Sequence, residues 1–473
     1  MKRRIPMVMV LALSLAAVSR AAEKTKPLPK DLPPYGPLVP FHAPKAEIKK
    51  LANGLTLWLV PRPGFPKVAL AIAVRGGLAS DPVTRPGLST LLMDTIDQGT
   101  RARTAKQIAE ELQAAGGDLT GSPSADDLLL ATDVLASKTD AALTVLADIV
   151  QNASFPASEV ALAKRNAADS LRANEASPSF LARRALAKAI FGTNPYGVIS
   201  PTQASIAATT PDELRREFSR RLRPDQALLV AVGDFDADTF TASVEKLFGT
   251  WKAPASAPVA LPAKPAAENP HRLYLVNRPG SVQTTFMLGT FSPLRGSPDF
   301  AAAQVATAIY GGMFGSRLIL NIREDKGYTY SPGAFLQYYR EAGLFETRAD
   351  VRNPVTGASL NEIDYELNRM ATTSPSEDEM AHAERYLVGV QGFEFQSQES
   401  VARQLAAVWA VGLPPEELGL EGERIPKVTA EEVSQAGRKF FSASRQTIVA
   451  VGEEKFIREQ LAPLGIAIHT ASH

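Results

Sequence analysis

Apolar residues recur along the chain in two registers. Over 126–135 (DDLLLATDVL) they alternate, with Leu128, Leu130, Thr132 and Val134 on one side, and 68–77 (VALAIAVRGG) reads as a second strand. Over 87–100 (GLSTLLMDTIDQGT) the spacing changes. Leu88, Leu91, Leu92 and Ile96 fall at i, i+3, i+4 and i+8, one stripe of a helix, which leaves Thr90, Met93, Asp94 and Asp97 on the opposite, polar face. A further helix is predicted from Thr104 to Ala115, opened by the capping box Thr104–Gln107 and stopped by Gly116-Gly117. Strands interleaved with clustered helices predict an α+β fold, a mainly antiparallel sheet packed with helices.

The pattern is written twice. LWLVPRPG (57–64) returns as LYLVNRPG (273–280), an offset of 216, and LLVAVGDFD (228–236) returns as TIVAVGEEK (447–455), an offset of 219. Before each of the latter stands a capping box, Thr210–Glu213 and Thr429–Glu432, again 219 apart. The spacing implies two homologous domains, 47–252 and 271–473, joined by the Ala/Pro-rich linker 253–270. Residues 22–46 form a proline-rich extended arm, and 1–21 read as a secretory signal: a basic start at Lys2, Arg3 and Arg4, then an apolar run of 14 residues, Ile5 to Val18. Export to the periplasm is the expectation, with no membrane insertion after cleavage.

Composition narrows the chemistry. The chain has no cysteine, which removes thiolate nucleophiles, thiolate metal sites and disulfides. Of 51 basic residues, Lys2, Arg3, Arg4 and Arg20 lie in the signal, leaving 47 against 50 acidic, with no basic block to favour nucleic acid. The five histidines, His42, His271, His382, His469 and His473, are scattered, and no Gly-x-Ser-x-Gly elbow occurs.

The strand ending in Gly-Gly, the helix ending in Gly99-Thr100 and the capped helix after it resemble the pitrilysin-like metallopeptidases, the family of insulin-degrading enzyme and the mitochondrial processing peptidases. The resemblance covers roughly residues 45 to 465. It implies half of a clam-shell chamber and, on the first helix, a His-x-x-Glu-His zinc motif completed by a downstream Glu. Here the His positions hold Thr90 and Asp94, the Glu position holds Met93, and the downstream position, eight before Pro178, holds Ser170. None supplies the required group, so this chain is expected to bind no metal. The polar face is read as the remnant of a catalytic surface.

GGMFGSRLILNIREDKGYTYS (311–331) resembles the family's C-terminal signature, with Ser316, Arg317, Leu318, Arg323, Gly327 and Tyr330 in order. The family's Arg and Tyr, seven residues apart, hydrogen-bond the substrate backbone, which points to Arg323 and Tyr330; Tyr328 leaves the choice of phenol open. The local expectation is a helix from about Phe314 to Gly327 followed by a strand carrying Tyr330. A structural alternative is that Arg323 pairs with Glu324 and Tyr330 packs. The resemblance therefore implies a metal-free, peptide-binding subunit whose zinc is held by a related His-x-x-Glu-His partner chain. A catalytically inert structural or peptide-binding protein of the same fold is the alternative.

Overall fold

The computed structural model describes Gly36 and residues 43–266 and 272–470. The signal segment, most of the proline-rich arm, His42, His271 and His473 lie outside the described residues. The elements that follow belong to one compact unit, Pro40–His473.

Among the described residues, twelve strands form two six-stranded sheets. They are β1 (Glu47–Lys50), β2 (Thr56–Pro61), β3 (Lys67–Arg75), β4 (Thr120–Pro123), β5 (Asp127–Leu135), β6 (Ala227–Gly233), β7 (Arg272–Asn277), β8 (Gln283–Ser292), β9 (Gly333–Tyr338), β10 (Gly343–Arg352), β11 (Thr447–Gly452) and β12 (Ile468–Thr470). The first sheet runs β1-β2-β6-β3-β5-β4 and the second β12-β7-β11-β8-β10-β9. Five strands of each correspond in order; the sixth is β1, antiparallel to β2, in one sheet and β12, parallel to β7, in the other. Each sheet is mainly antiparallel, with β2 and β6 parallel in the first and β7 and β11 parallel in the second. The two-fold repeat read from 57–64 and 273–280 is thus a repeat of topology.

Strand alternation sends alternate residues to two different cores. In β3, Val68, Leu70, Ile72 and Val74 join the helices of the first half, including Leu88, Leu91, Leu92 and Ile96, while Ala69, Ala71 and Ala73 face the other way. Those alanines are covered by a helix from the second half, Gln398–Ala410, through Val401, Leu405, Val408 and Trp409. Reciprocally, Leu181, Leu186 and Ile190 of the first-half helix Pro178–Phe191 lie on Met287, Val449 and Val451 of the second sheet. The two helices start 220 residues apart, so the halves trade equivalent elements. Gly289 makes the close approach possible: a Cβ there would stand 2.9 Å from Ile190 Cδ1 and 3.1 Å from Leu186 Cδ2.

Polar contacts seal the same boundary. At the tip of the β4–β5 hairpin, Asp126 accepts from the Tyr196 hydroxyl at 2.7 Å and from the Arg340 backbone N–H at 2.9 Å, in the β9–β10 hairpin. The Arg75 guanidinium lies 4.3 Å from the Trp409 ring centre. Residues 253–266, without helix or strand, are tied to the first half: Ala260 O accepts from Ser80, Ala263 O from Asn194 and Ser256 O from Arg223. Among the described residues one segment, Phe300–Asp325, is long and apolar enough to cross a membrane, and 78% of its apolar 18-residue window is buried inside the protein.

Three local expectations need correction. Met93 is not on a polar face; it is 3% exposed within the first core, because the β4–β5 hairpin covers that side of the helix and Gly121 lies against Met93. Thr210 accepts from the Glu213 N–H, but the return bond is absent, the Glu213 carboxylate pairing with Arg85 at 3.2 Å instead. The boxes at Thr104 and Thr429 are complete. The third correction concerns the helix before Gly327 and belongs to the site.

Candidate functional site

The helix that aligns with the family's zinc helix is Leu88–Thr95. Its start is fixed from outside. The Ser89 N–H and hydroxyl both donate to Asp81, a carboxylate at a helix N-terminus, where the helix dipole favours it. Behind it lies Arg221, fully buried, which donates to Asp81 at 3.0 Å, to Ser89 Oγ at 2.8 Å and to Gly76 O at 3.0 Å, and pairs with Glu217 at 2.9 Å. Burial raises the Asp81 pKa while Arg221 opposes the rise. A buried guanidinium this fully satisfied holds the helix entry in one geometry.

The side chains held this way are not a metal site. Thr90 is half-buried, Asp94 exposed and Met93 buried, while Ser170 lies exposed on the helix Ala157–Glu175, which packs against the first. Two hydroxyls and a thioether are poor ligands for zinc, and a single carboxylate cannot hold it. Among the described residues no group of three or more His, Asp or Glu side chains is arranged to bind a metal. The residues at these positions do not fit the family's zinc. Although Asp94 keeps surface in solvent, the protein around its carboxyl desolvates it and, with the neighbouring Asp97, raises its pKa; desolvation also raises that of half-buried Asp97, against a hydrogen bond from Gln98. His469 packs against the Tyr274 ring at 5.8 Å between centres, and His382 is exposed.

In the second half the chain turns sharply at 313–316, Ser316 N–H bonding to Met313 O at 3.0 Å. Met313 anchors this turn in the core and Phe314 projects from it, 64% exposed. The helix begins at Arg317, not Phe314, and from Leu320 to Asp325 it is a wider π-helix. Arg317 is structural: it forms two parallel bonds, 2.6 and 2.8 Å, with Glu379 of the helix Glu377–Glu394. The π-turn is pinned by Asn321, which donates to the buried Glu366 at 2.8 Å and to Glu362 at 3.0 Å, and accepts from Lys326 at 2.8 Å. Gly327, at φ +61°, closes the helix, with Tyr328 N–H bonding to Ile322 O at 2.8 Å. A strand does not begin there. Thr329 makes an isolated bridge to Val351, its hydroxyl donating to Asp350 O at 2.6 Å, and β9 starts only at Gly333. Tyr330 therefore sits on a bend.

This path brings Arg323 and Tyr330 together. The guanidinium carbon of Arg323 lies 4.7 Å from the Tyr330 ring centre and 4.8 Å from that of Phe314. Tyr330 is 79% exposed, and Tyr328 is half-buried. Arg323 Nε pairs with Glu324 Oε1 at 3.1 Å, so the ion pair of the structural alternative is present as well. The rings and the carboxylate at Nε leave the terminal N–H groups of the guanidinium without a protein partner among these contacts. A half-buried fork of donors beside an exposed phenol suits peptide carbonyls or carboxylates. The sequence points to the convergence of Arg323 and Tyr330 but not to the places of Phe314, Arg221 and Asn321 beside these elements. Phe314 lies inside the 311–331 signature, an aromatic between Gly312 and Gly315 with only Met313 as an adjacent apolar residue.

Known proteins share the sequence and fold of this chain over most of its length. Residues 59–200 match the family described as Insulinase (Peptidase family M16), and residues 208–387 match Peptidase M16 inactive domain. An uncharacterized zinc protease of Rickettsia felis is 27% identical over 403 residues, 84% of this chain and 95% of its own length. The uncharacterized zinc protease YmxG of Bacillus subtilis is 26% identical over 295 residues, 62% of this chain and 70% of its own. The same fold occurs in the crystal structure of a peptidase M16 inactive domain from Pseudomonas fluorescens, with TM-score 0.79, 24% identity and coverage of 86% of this chain and 98% of that one. A protease from Helicobacter pylori superimposes with TM-score 0.81 at 17% identity, over 86% of this chain and all of its own.

Proposed function

Because the chain belongs to the insulinase (M16) family of peptidases, we propose that it is the substrate-gripping, metal-free subunit of a two-chain zinc peptidase acting on unstructured peptides. A related chain bearing His-x-x-Glu-His would hold the zinc and activate water; this chain would supply Arg323, Tyr330 and one wall of the chamber, and no chemical step is assigned to Thr90, Met93, Asp94 or Ser170. The observation that carries the reading is the combination of a helix without the family's zinc ligands and a converged pair, half-buried Arg323 beside exposed Tyr330. Arg323 donates to a backbone carbonyl and stabilises charge that develops on it, and the Tyr330 hydroxyl fixes the register of the strand. The leader-like segment 1–21 supports placing the pair in the periplasm.

The Arg323–Glu324 ion pair favours the second reading, an inert scaffold of the same fold. One experiment separates the two. The purified chain is mixed with a candidate His-x-x-Glu-His chain, and cleavage of a fluorogenic unstructured peptide is followed. Activity is expected only from the mixture, with Arg323→Ala lowering kcat/KM about 10- to 100-fold. A partner equally active alone, or an unaffected Arg323→Ala mixture, leaves the scaffold reading.

A further inference from the structure

We infer that Phe314 is a positioning residue of the peptide-gripping site, holding the Arg323 guanidinium between its own ring and that of Tyr330 so that only the terminal N–H edge faces an incoming peptide. This rests on the proposed role of Arg323. Its own support is geometric. A phenylalanine 64% exposed at a turn gains nothing from the core, and its neighbour Met313 already provides the anchor. The ring instead lies 4.8 Å from the Arg323 guanidinium carbon, with Tyr330 at 4.7 Å.

An unrestrained arginine side chain loses much rotamer freedom on gripping a ligand. Two aromatic rings within about 5 Å of the guanidinium carbon remove part of that freedom beforehand. Glu324 on Nε completes the restraint by occupying the third side. The arrangement selects a planar acceptor approaching in the guanidinium plane, a peptide carbonyl or a carboxylate, and disfavours ligands that would stack on the face.

The test uses the full chain labelled with 15N-arginine and a fluorescein-labelled unstructured peptide. Phe314→Leu keeps an apolar side chain but removes the ring; Phe314→Tyr restores it. In Phe314→Leu the Arg323 Nε–H resonance is expected to lose its upfield ring shift and exchange faster, and peptide affinity to fall about 3- to 10-fold, with the melting temperature unchanged. Phe314→Tyr is expected to recover both. An Arg323 resonance identical in wild type and Phe314→Leu overturns the inference, whatever the peptide does. Loss of binding in Arg323→Ala together with wild-type binding in Phe314→Leu also overturns it, while leaving the proposed grip intact. If Arg323→Ala binds peptide normally, the grip itself is refuted.

Discussion

Glu346, 7% exposed on β10, is a carboxyl group placed where ionisation is opposed. Burial lifts its pKa to about 7, against the pull of Arg183 and Arg348, and Gln337 donates to it at 2.7 Å. A folded-state pKa raised above the unfolded value means the fold favours the protonated form. The resulting cost is absent below about pH 4.5 and complete above about 7. Glu346→Gln should therefore stabilise the protein at pH 8 by on the order of 2 kcal/mol and change little at pH 4. Denaturant melts at the two pH values check this, and equal shifts at both would refute it. Glu379 works in the opposite sense. Burial pushes its pKa up, but Arg317 and the Ser376 N–H hold it near 2. Its contribution is present above about pH 4.5 and lost as pH falls toward 2. At this scale the sequence shows residue types and spacing but not partners distant in the chain. The proximity of Arg323 and Tyr330 is legible because they lie seven apart in one motif. Arg221 was not, since its partners Ser89 and Asp81 are 132 and 140 residues away. Met93 was misjudged because a helical wheel has one apolar side, whereas this helix is covered on two.

At the scale of elements, the periodicities predicted β3, β5 and the helices at 88 and 105 closely, because each alternation or stripe is set locally. What each element packs against was not legible. The stripes of Pro178–Phe191 and Gln398–Ala410 say that one face is buried, not that it is buried on the other half's sheet. The small residues Ala69, Ala71, Ala73 and Gly289 were the only trace, marking strands that something approaches closely. Gly289→Val should drive a branched side chain into Ile190, Leu186 and the Phe345 carbonyl, costing about 1–3 kcal/mol in urea unfolding. Gly315→Ala, a substitution into open space, is the control and should be nearly neutral. A neutral Gly289→Val would mean that the traded helix is held loosely.

For the molecule as a whole, neither half buries its own sheet on both faces. A single proteolytic cut in 257–266 should leave two fragments that co-elute and melt in one transition, because Gln398–Ala410 and Pro178–Phe191 still clasp opposite sheets. Size-exclusion chromatography and calorimetry read this directly, and fragments that separate without denaturant would contradict it. Residues 43–252 alone should be insoluble, exposing Trp58, Val60, Val230 and Val232. The trade also bears on history. A one-domain ancestor carrying this helix would have embraced a second copy of itself across a two-fold axis, each lending the other the same segment. Fusion of two such genes end to end preserves the embrace while releasing the copies from identity, and one could then shed its chemistry without loosening its hold on the other.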